Sequence, residues 1–226
     1  MNPRKDIWDL IEKGDVEELL HEAAVLHGHY CPGLALGVKG SYELVKRLDL
    51  KSEGMEDVLA IVETNNCASD GVQFITGCSF GNNSLIFRDL GKTAFTLTAR
   101  DGKGLRARVV ENASEHWEEK VEEFSELYDK VVDRREGDEE DKEELMSASE
   151  KASLAVIDTD VKKIFDFEEV EIEIPDYAPM HDSYVCDQCG EKVMATRTVE
   201  DEGKIYCLEC AGEGYSKLTG YGIERK

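Results

Sequence analysis

Positive charge, long apolar runs and an even complement of cysteines are what this sequence lacks. No stretch approaches the roughly 20 consecutive apolar residues of a membrane-spanning helix. The opening MNPRKDIWDLIEKGD has none of the roughly 7–15-residue apolar core of a secretory signal, so a cytoplasmic protein with no membrane partner is expected. Lys and Arg number 27 against 50 Asp and Glu, a formal charge of −23. That field repels nucleic-acid phosphates and anionic membrane surfaces and argues against both as partners, although solvated acidic surfaces also serve plain solubility. Seven cysteines are an odd number, and four of them stand in two C-x-x-C pairs. A full disulfide framework is therefore disfavoured, and metal or thiol chemistry in a reducing compartment is favoured. The 226 residues, 41% of them hydrophobic, suffice for one packed domain with a small appendage.

Val16, Leu19, Leu20, Ala23, Ala24 and Leu26 recur at helical spacing behind Asp15, a helix N-cap, and predict a helix that ends near Gly28. Pro32 fits the first position of a second helix running to about Asp49. Gly33, Gly37 and Gly40 weaken that helix unless another backbone comes close to it. VLAIVE at 58–63 reads as a strand, followed by a helix over Cys67–Thr76 that Gly77 closes. Ser84–Arg88, Thr93–Thr98 and Leu105–Val110 read as three strands of an antiparallel meander with turns between them. Ser114–Ser153 reads as helices broken at Gly137, with a solvated acidic interval at Asp133–Glu144, and EEVEIEI at 168–174 alternates as a strand. The expected architecture is α+β, helices packed on a mixed or antiparallel sheet over residues 1–178, followed by a small four-cysteine zinc module at 179–226.

Cys186, Cys189, Cys207 and Cys210 form two C-x-x-C pairs at the separation that brings four thiolates into a tetrahedron around one zinc ion. Four thiolates leave no exchangeable position, so this zinc is expected to be structural, a redox dithiol being the minor alternative. Lys192–Thr198 and Ile205–Tyr206 are the expected strands of one hairpin between the pairs. His181 is nearby, but four cysteines already complete the ligand set.

LHGHYCPG at 26–33 is the second informative stretch. In an extended chain His27, His29 and Cys31 alternate onto one face, where they converge on a metal or a thiol-reactive ligand. Cys31 precedes Pro32 at a helix start, an environment that lowers a thiol's pKa. Cys67 opens the next helix with Asp70 on its first turn and Gln73 adjacent, while Cys78 follows Gly77 in a loop and reads equally well as a packed small residue or as a site residue. His21 and His116 read as packing residues. A mixed His/Cys site accepts zinc, iron, nickel or copper according to geometry and supply, so a second metal in this amino-terminal cleft is an open expectation.

HGHYCPGLALG at 27–37, CASDGVQFITGCSFGNNSL at 67–85, DLGKTAFTLTAR at 89–100 and the cysteine-rich tail together resemble the E-subunit family of formylmethanofuran dehydrogenase over residues 17–212. The resemblance implies an α+β domain with a mixed sheet, a homodimer, and a carboxy-terminal zinc module. It also implies a cleft lined by His27, His29, Cys31, Cys67 and Asp70, with Cys78 in the GC that follows. The family name ties it to the molybdenum or tungsten enzyme of methanogenesis that reduces carbon dioxide onto methanofuran. This chain shows neither a pterin-binding domain nor a ferredoxin-type cysteine array, so the expected role is that of an accessory protein, with other dehydrogenase subunits as partners. The alternative reading is a zinc-dependent module that binds protein or nucleic acid and has no catalytic role.

Overall fold

The computed structural model describes residues 2–226 and divides them into two compact units, one running to Pro175 and one from Asp176 to Lys226. In the larger unit, Lys5–Lys13 (α1) and Val16–His27 (α2) are separated by Gly14 in the left-handed conformation. The Asp15 side chain accepts from the backbone N–H of Glu18 at 3.3 Å, and Leu19, Leu20, Ala23 and Ala24 are buried on the face that their spacing predicts. α1 is absent from the expected helices, although Trp8 and Ile11 at helical spacing ahead of Gly14 carry its signal. Gly28, also left-handed, ends α2, and Pro32–Leu48 (α3) begins with Pro32 in the first turn and Cys31 as N-cap.

Val58–Val62 (β1), Ala68–Thr76 (α4) and Leu85–Phe87 (β2) form a β-α-β unit in which β2 pairs parallel to β1. Ala94–Ala99 (β3), Lys103–Val109 (β4) and Phe165–Glu171 (β5) complete a mixed sheet of order β2-β1-β3-β4-β5. β2 is therefore not the first strand of a meander with β3. The chain after β2 wraps around the end of β1, with the Leu90 and Lys92 N–H groups donating to the Glu63 carbonyl at 3.3 and 3.1 Å, and so delivers β3 to the opposite side. β5 also begins earlier than its alternating residues predict, because β4 offers partners only from Val109, opposite Phe165, to Lys103, opposite Glu171.

Glu115–Glu118 (α5), Glu122–Tyr128 (α6), a π-helical turn at Asp129–Asp133, Glu139–Asp158 (α7) and Val161–Ile164 (α8) lie between β4 and β5. Asp138 and Asp141 form a capping box that starts α7 just after Gly137, so the predicted break at this glycine is present. The core lies between the helices and one face of the sheet, where Phe95 and Phe165 meet edge to face at 6.0 Å. Two glycines place α3 and α4 in backbone contact. A Cβ on Gly37 would stand 2.1 Å from the carbonyl oxygen of Ala68, and one on Gly71 would stand 2.6 Å from the nitrogen of Val38. The glycines that weaken these helices locally are what let them touch, as expected of α3 from its sequence.

The smaller unit has three two-stranded sheets, pairing Ser183–Val185 (β6) with Lys192–Met194 (β7), Thr198–Asp201 (β8) with Lys204–Cys207 (β9), and Ser216–Thr219 (β10) with Gly222–Arg225 (β11). The hairpin between the cysteine pairs is β8 with β9, and Lys192–Met194, expected within its first strand, pairs instead with β6 ahead of Cys186. Gly190, left-handed at φ +76°, reverses the chain within the first knuckle so that β7 pairs back onto β6, and Glu202 and Gly203, both at positive φ, turn β8 into β9. Among the described residues no helix is long and apolar enough to cross a membrane.

Candidate functional site

In the smaller unit the four sulfurs of Cys186, Cys189, Cys207 and Cys210 all lie within 4.8 Å of one another. Each knuckle is held by its own backbone: the Gly190 N–H donates to the Cys186 carbonyl at 2.9 Å, and the Ala211 N–H to the Cys207 carbonyl at 2.9 Å. The Cys207 N–H approaches the Cys186 sulfur at 3.4 Å, and the Cys210 N–H the Cys207 sulfur at 3.3 Å. Backbone donors aimed at sulfur stabilise thiolate charge, and those of Cys189 and Cys207 lower Cys186 to about 6. The Asp187 carboxylate accepts from the Ile205 N–H at 2.7 Å and ties the first knuckle to β9. A closed set of four sulfurs this close together fits zinc, which prefers four such ligands in a tetrahedron. His181 is exposed and stands outside it.

The amino-terminal constellation is built at the junction of α2, α3 and α4. His27 is the last residue of α2, Gly28 turns the chain, and Cys31 is extended (φ −157°, ψ 154°) as the N-cap of α3. The residues therefore converge through a helix end, a left-handed turn and a cap, not through the continuous extended strand that their alternation implied. The outcome is nonetheless that ligand atoms of His27, His29 and Cys31 fall within 4.8 Å of one another, with the two imidazole centroids 4.4 Å apart. His27 is positioned from both sides. Its Nδ1 is 2.7 Å from the Asp70 carboxylate on α4, and its Nε2 is 3.7 Å from the Cys31 sulfur. A carboxylate accepts, so Nδ1 is the donor in this pair, and Nε2 is the ring nitrogen that faces Cys31. Gln73 in turn donates to the other Asp70 oxygen at 3.1 Å.

Cys67 precedes α4 and faces Cys31 across Gly33, where a Cβ would lie 3.0 Å from the Cys67 Cβ. A larger residue at position 33 would fill the gap between the two thiols. The ionisation of the two thiols is coupled. The hydrogen bond from Cys31, aided by His27 and His29, lowers Cys67 to about 5, whereas Cys31 is raised by that same bond and by burial. A helix start alone would make Cys31 the more acidic thiol. The structure reverses this, although the Leu34 N–H does reach the Cys31 sulfur at 3.3 Å, because the contact with Cys67 outweighs one cap donor.

Cys78 does not join the cluster. Its fully buried thiol donates to the Val58 carbonyl at 3.4 Å, and burial raises it to about 11. It packs under the sheet as a small apolar residue. His21 binds the Tyr30 hydroxyl at 2.8 Å.

A cleft of about 540 Å³ opens onto His29, Cys31 and Cys67, with Trp117, Phe124 and Tyr128 on another part of its lining. The aromatic residues come from α5 and α6, distant in sequence from the histidines, and no local pattern marks them as site residues.

Residues 26–166 match the family described as FmdE, molybdenum formylmethanofuran dehydrogenase operon, and residues 183–214 match the prokaryotic dksA/traR C4-type zinc finger. A protein of Archaeoglobus fulgidus named a probable S-adenosyl-L-methionine-binding protein is 42% identical over 211 residues. That alignment takes in 91% of this chain and 55% of the relative, so the chain spans about half of the relative's length. The crystal structure of an FmdE-like protein of tungsten formylmethanofuran dehydrogenase type from Syntrophus aciditrophicus has the same fold, with a TM-score of 0.56 and 24% identity over 87% of this chain and 92% of that one. The HGHYC turn, the helix behind Cys67 and strands β1 to β4 all lie within the matched residues, and the chain belongs to the FmdE family.

Proposed function

We propose that the chain is an accessory protein related to the molybdenum and tungsten formylmethanofuran dehydrogenases, and that it holds a metal ion or a thiol-reactive ligand in the cleft at His27, His29, Cys31 and Cys67. The observation that carries this is the orientation of His27. A carboxylate on Nδ1, with Nε2 turned toward a cysteine, is the arrangement by which proteins fix the tautomer of a metal-binding imidazole and raise its basicity. Two imidazoles and a sulfur suit a borderline ion such as zinc, nickel or iron. When bound, such an ion supplies Lewis acidity and a fixed point of attachment. Asp70 and Gln73 orient His27, and Cys67 holds or releases a proton against Cys31.

The zinc module fits a docking role toward a protein partner, supported by exposed apolar side chains at Tyr184, Val185, Met194, Leu218 and Tyr221. Val25 and Leu26, exposed at the end of α2, support a homodimer, and the reducing chemistry of the thiols supports a cytoplasmic setting. Elemental analysis of the full chain tests the main reading. Wild type is expected to hold more metal than the tail cysteines account for, and the excess is expected to vanish in His27→Ala and in the double variant Cys31→Ala, Cys67→Ala. Equal metal content in wild type and both variants would reject a metal in this cleft. If iodoacetamide, tested separately, also left Cys67 unmodified, the thiol-reactive version would fall too.

A further inference from the structure

The aromatic wall of the cleft is unexplained by its metal-competent wall. At about 540 Å³ the space has the size of a small-molecule site. Phe124 and Tyr128 lie on one side with ring centroids 5.7 Å apart, and Trp117 backs them from the core. The charged residues that line the space are Glu118, Asp129 and Asp133, and no lysine or arginine is among them. Arg134 pairs with Asp129 at 2.9 Å and with Glu136 at 3.2 Å. Glu118 and Asp133 make no ion pair among the described residues. The wall continues through the π-helical turn at Asp129–Asp133, a backbone form that is costly and recurs at functional sites.

Aromatic faces present negative quadrupole potential, and uncompensated carboxylates add to it. Apart from any metal held at the His/Cys wall, a phosphate or carboxylate ligand meets no positive side chain among the lining residues. A strongly hydrated inorganic cation gains little from three rings, whereas a cation carrying its charge on carbon-substituted nitrogen or sulfur gains from the rings and the carboxylates together. We propose that the cleft binds a small organic onium cation, seated against Phe124 and Tyr128, countered by Asp133 and Glu118, and presented to the wall that carries His29, Cys31 and Cys67. The inference rests on the same cleft as the metal reading and names the class of ligand that the cleft admits.

Titration calorimetry on the full chain with benzyltrimethylammonium, its neutral carbon isostere neopentylbenzene, and phenylacetate tests it, with the metal content of each sample measured alongside. The cation is expected to bind about tenfold or more tightly than the isostere, and phenylacetate more weakly than either. Asp133→Asn and Tyr128→Leu, both at exposed positions, are each expected to weaken the cation about three- to tenfold without lowering the melting temperature, and Asp133→Asn to leave the isostere unaffected. Equal affinity for cation and isostere, or a cation affinity indifferent to both variants, would overturn the proposal even where the cleft is loaded with metal. A cation preference in protein whose cleft holds no metal would sustain it while removing the metal reading.

Discussion

Replacing Gly37 by Ala puts a methyl group 2.1 Å from the carbonyl oxygen of Ala68, about 1 Å inside the nearest approach that carbon makes to oxygen. Neither partner can yield alone, because the obstacle is the backbone of α4 and the methyl is fixed to the backbone of α3. The helices must separate. On an exposed helix the same change would stabilise by about 1 kcal/mol through helix propensity. Here overpacking opposes it by about 3 kcal/mol or more, since a gap of 0.5–1 Å already forfeits roughly a quarter to a half of each dispersion contact along the seam. The net loss of about 2 kcal/mol corresponds to a fall of about 4–8 °C in melting temperature for a domain of this size. Thermal unfolding by circular dichroism measures it, with Gly81→Ala, where a Cβ meets nothing within 4 Å, as a control expected to change little. Because α3 carries Cys31 and α4 carries Asp70, the separation is also expected to weaken metal retention in the cleft. An unchanged or raised melting temperature in Gly37→Ala would refute the close-contact argument.

Asp70→Ala removes the partner of His27 Nδ1 and is expected to weaken metal binding in the cleft by about 10–100-fold in a chelator competition, leaving the tail zinc in place. The Glu63 carboxylate, almost fully buried, accepts two hydrogen bonds from Arg106 at 2.6 and 2.8 Å, which hold its pKa below the ordinary 4.5 despite burial. A lowered carboxylate pKa contributes stability that is present above the unfolded value and is lost as pH falls through the folded one. Denaturant midpoints are therefore expected to decline more steeply below about pH 4.5 in wild type than in Glu63→Gln, and parallel curves would exclude this pair as a source of acid sensitivity. In metal-free protein at pH 7, iodoacetamide is expected to modify Cys67 ahead of Cys31 and to spare Cys78, as read by peptide mass spectrometry. Faster labelling of Cys31 would reverse the assigned proton order.

Elements governed by neighbours in sequence were legible without coordinates. Asp15 and Pro32 mark the starts of α2 and α3, Gly28 and Gly77 mark ends, and the cysteine knuckles follow from spacing because a four-residue loop fixes its own sulfur positions. The membership of the amino-terminal cluster was legible too, since His27, His29, Cys31, Cys67 and Asp70 all come to one place, but the route was not. A helix end and a cap produced the convergence that alternation in a strand was expected to give. The position of β2 was hidden because strand order depends on which side of β1 the chain passes, a matter settled by the wrap of residues 88–94 around Glu63. The seclusion of Cys78 and the presence of Trp117, Phe124 and Tyr128 at the cleft depend on packing between segments with no local pattern in common.

By itself, then, the sequence determined the donor types and their local spacing: four thiolates in two knuckles, two imidazoles and a thiol just ahead of one helix, and a thiol and a carboxylate at the start of the next. Tertiary structure alone decided how far apart the two helix starts lie. Gly37 and Gly71 allow α3 and α4 to meet backbone to backbone, and that contact sets Cys31 against Cys67 and couples their ionisation, because electrostatic coupling depends on distance through space and not along the chain.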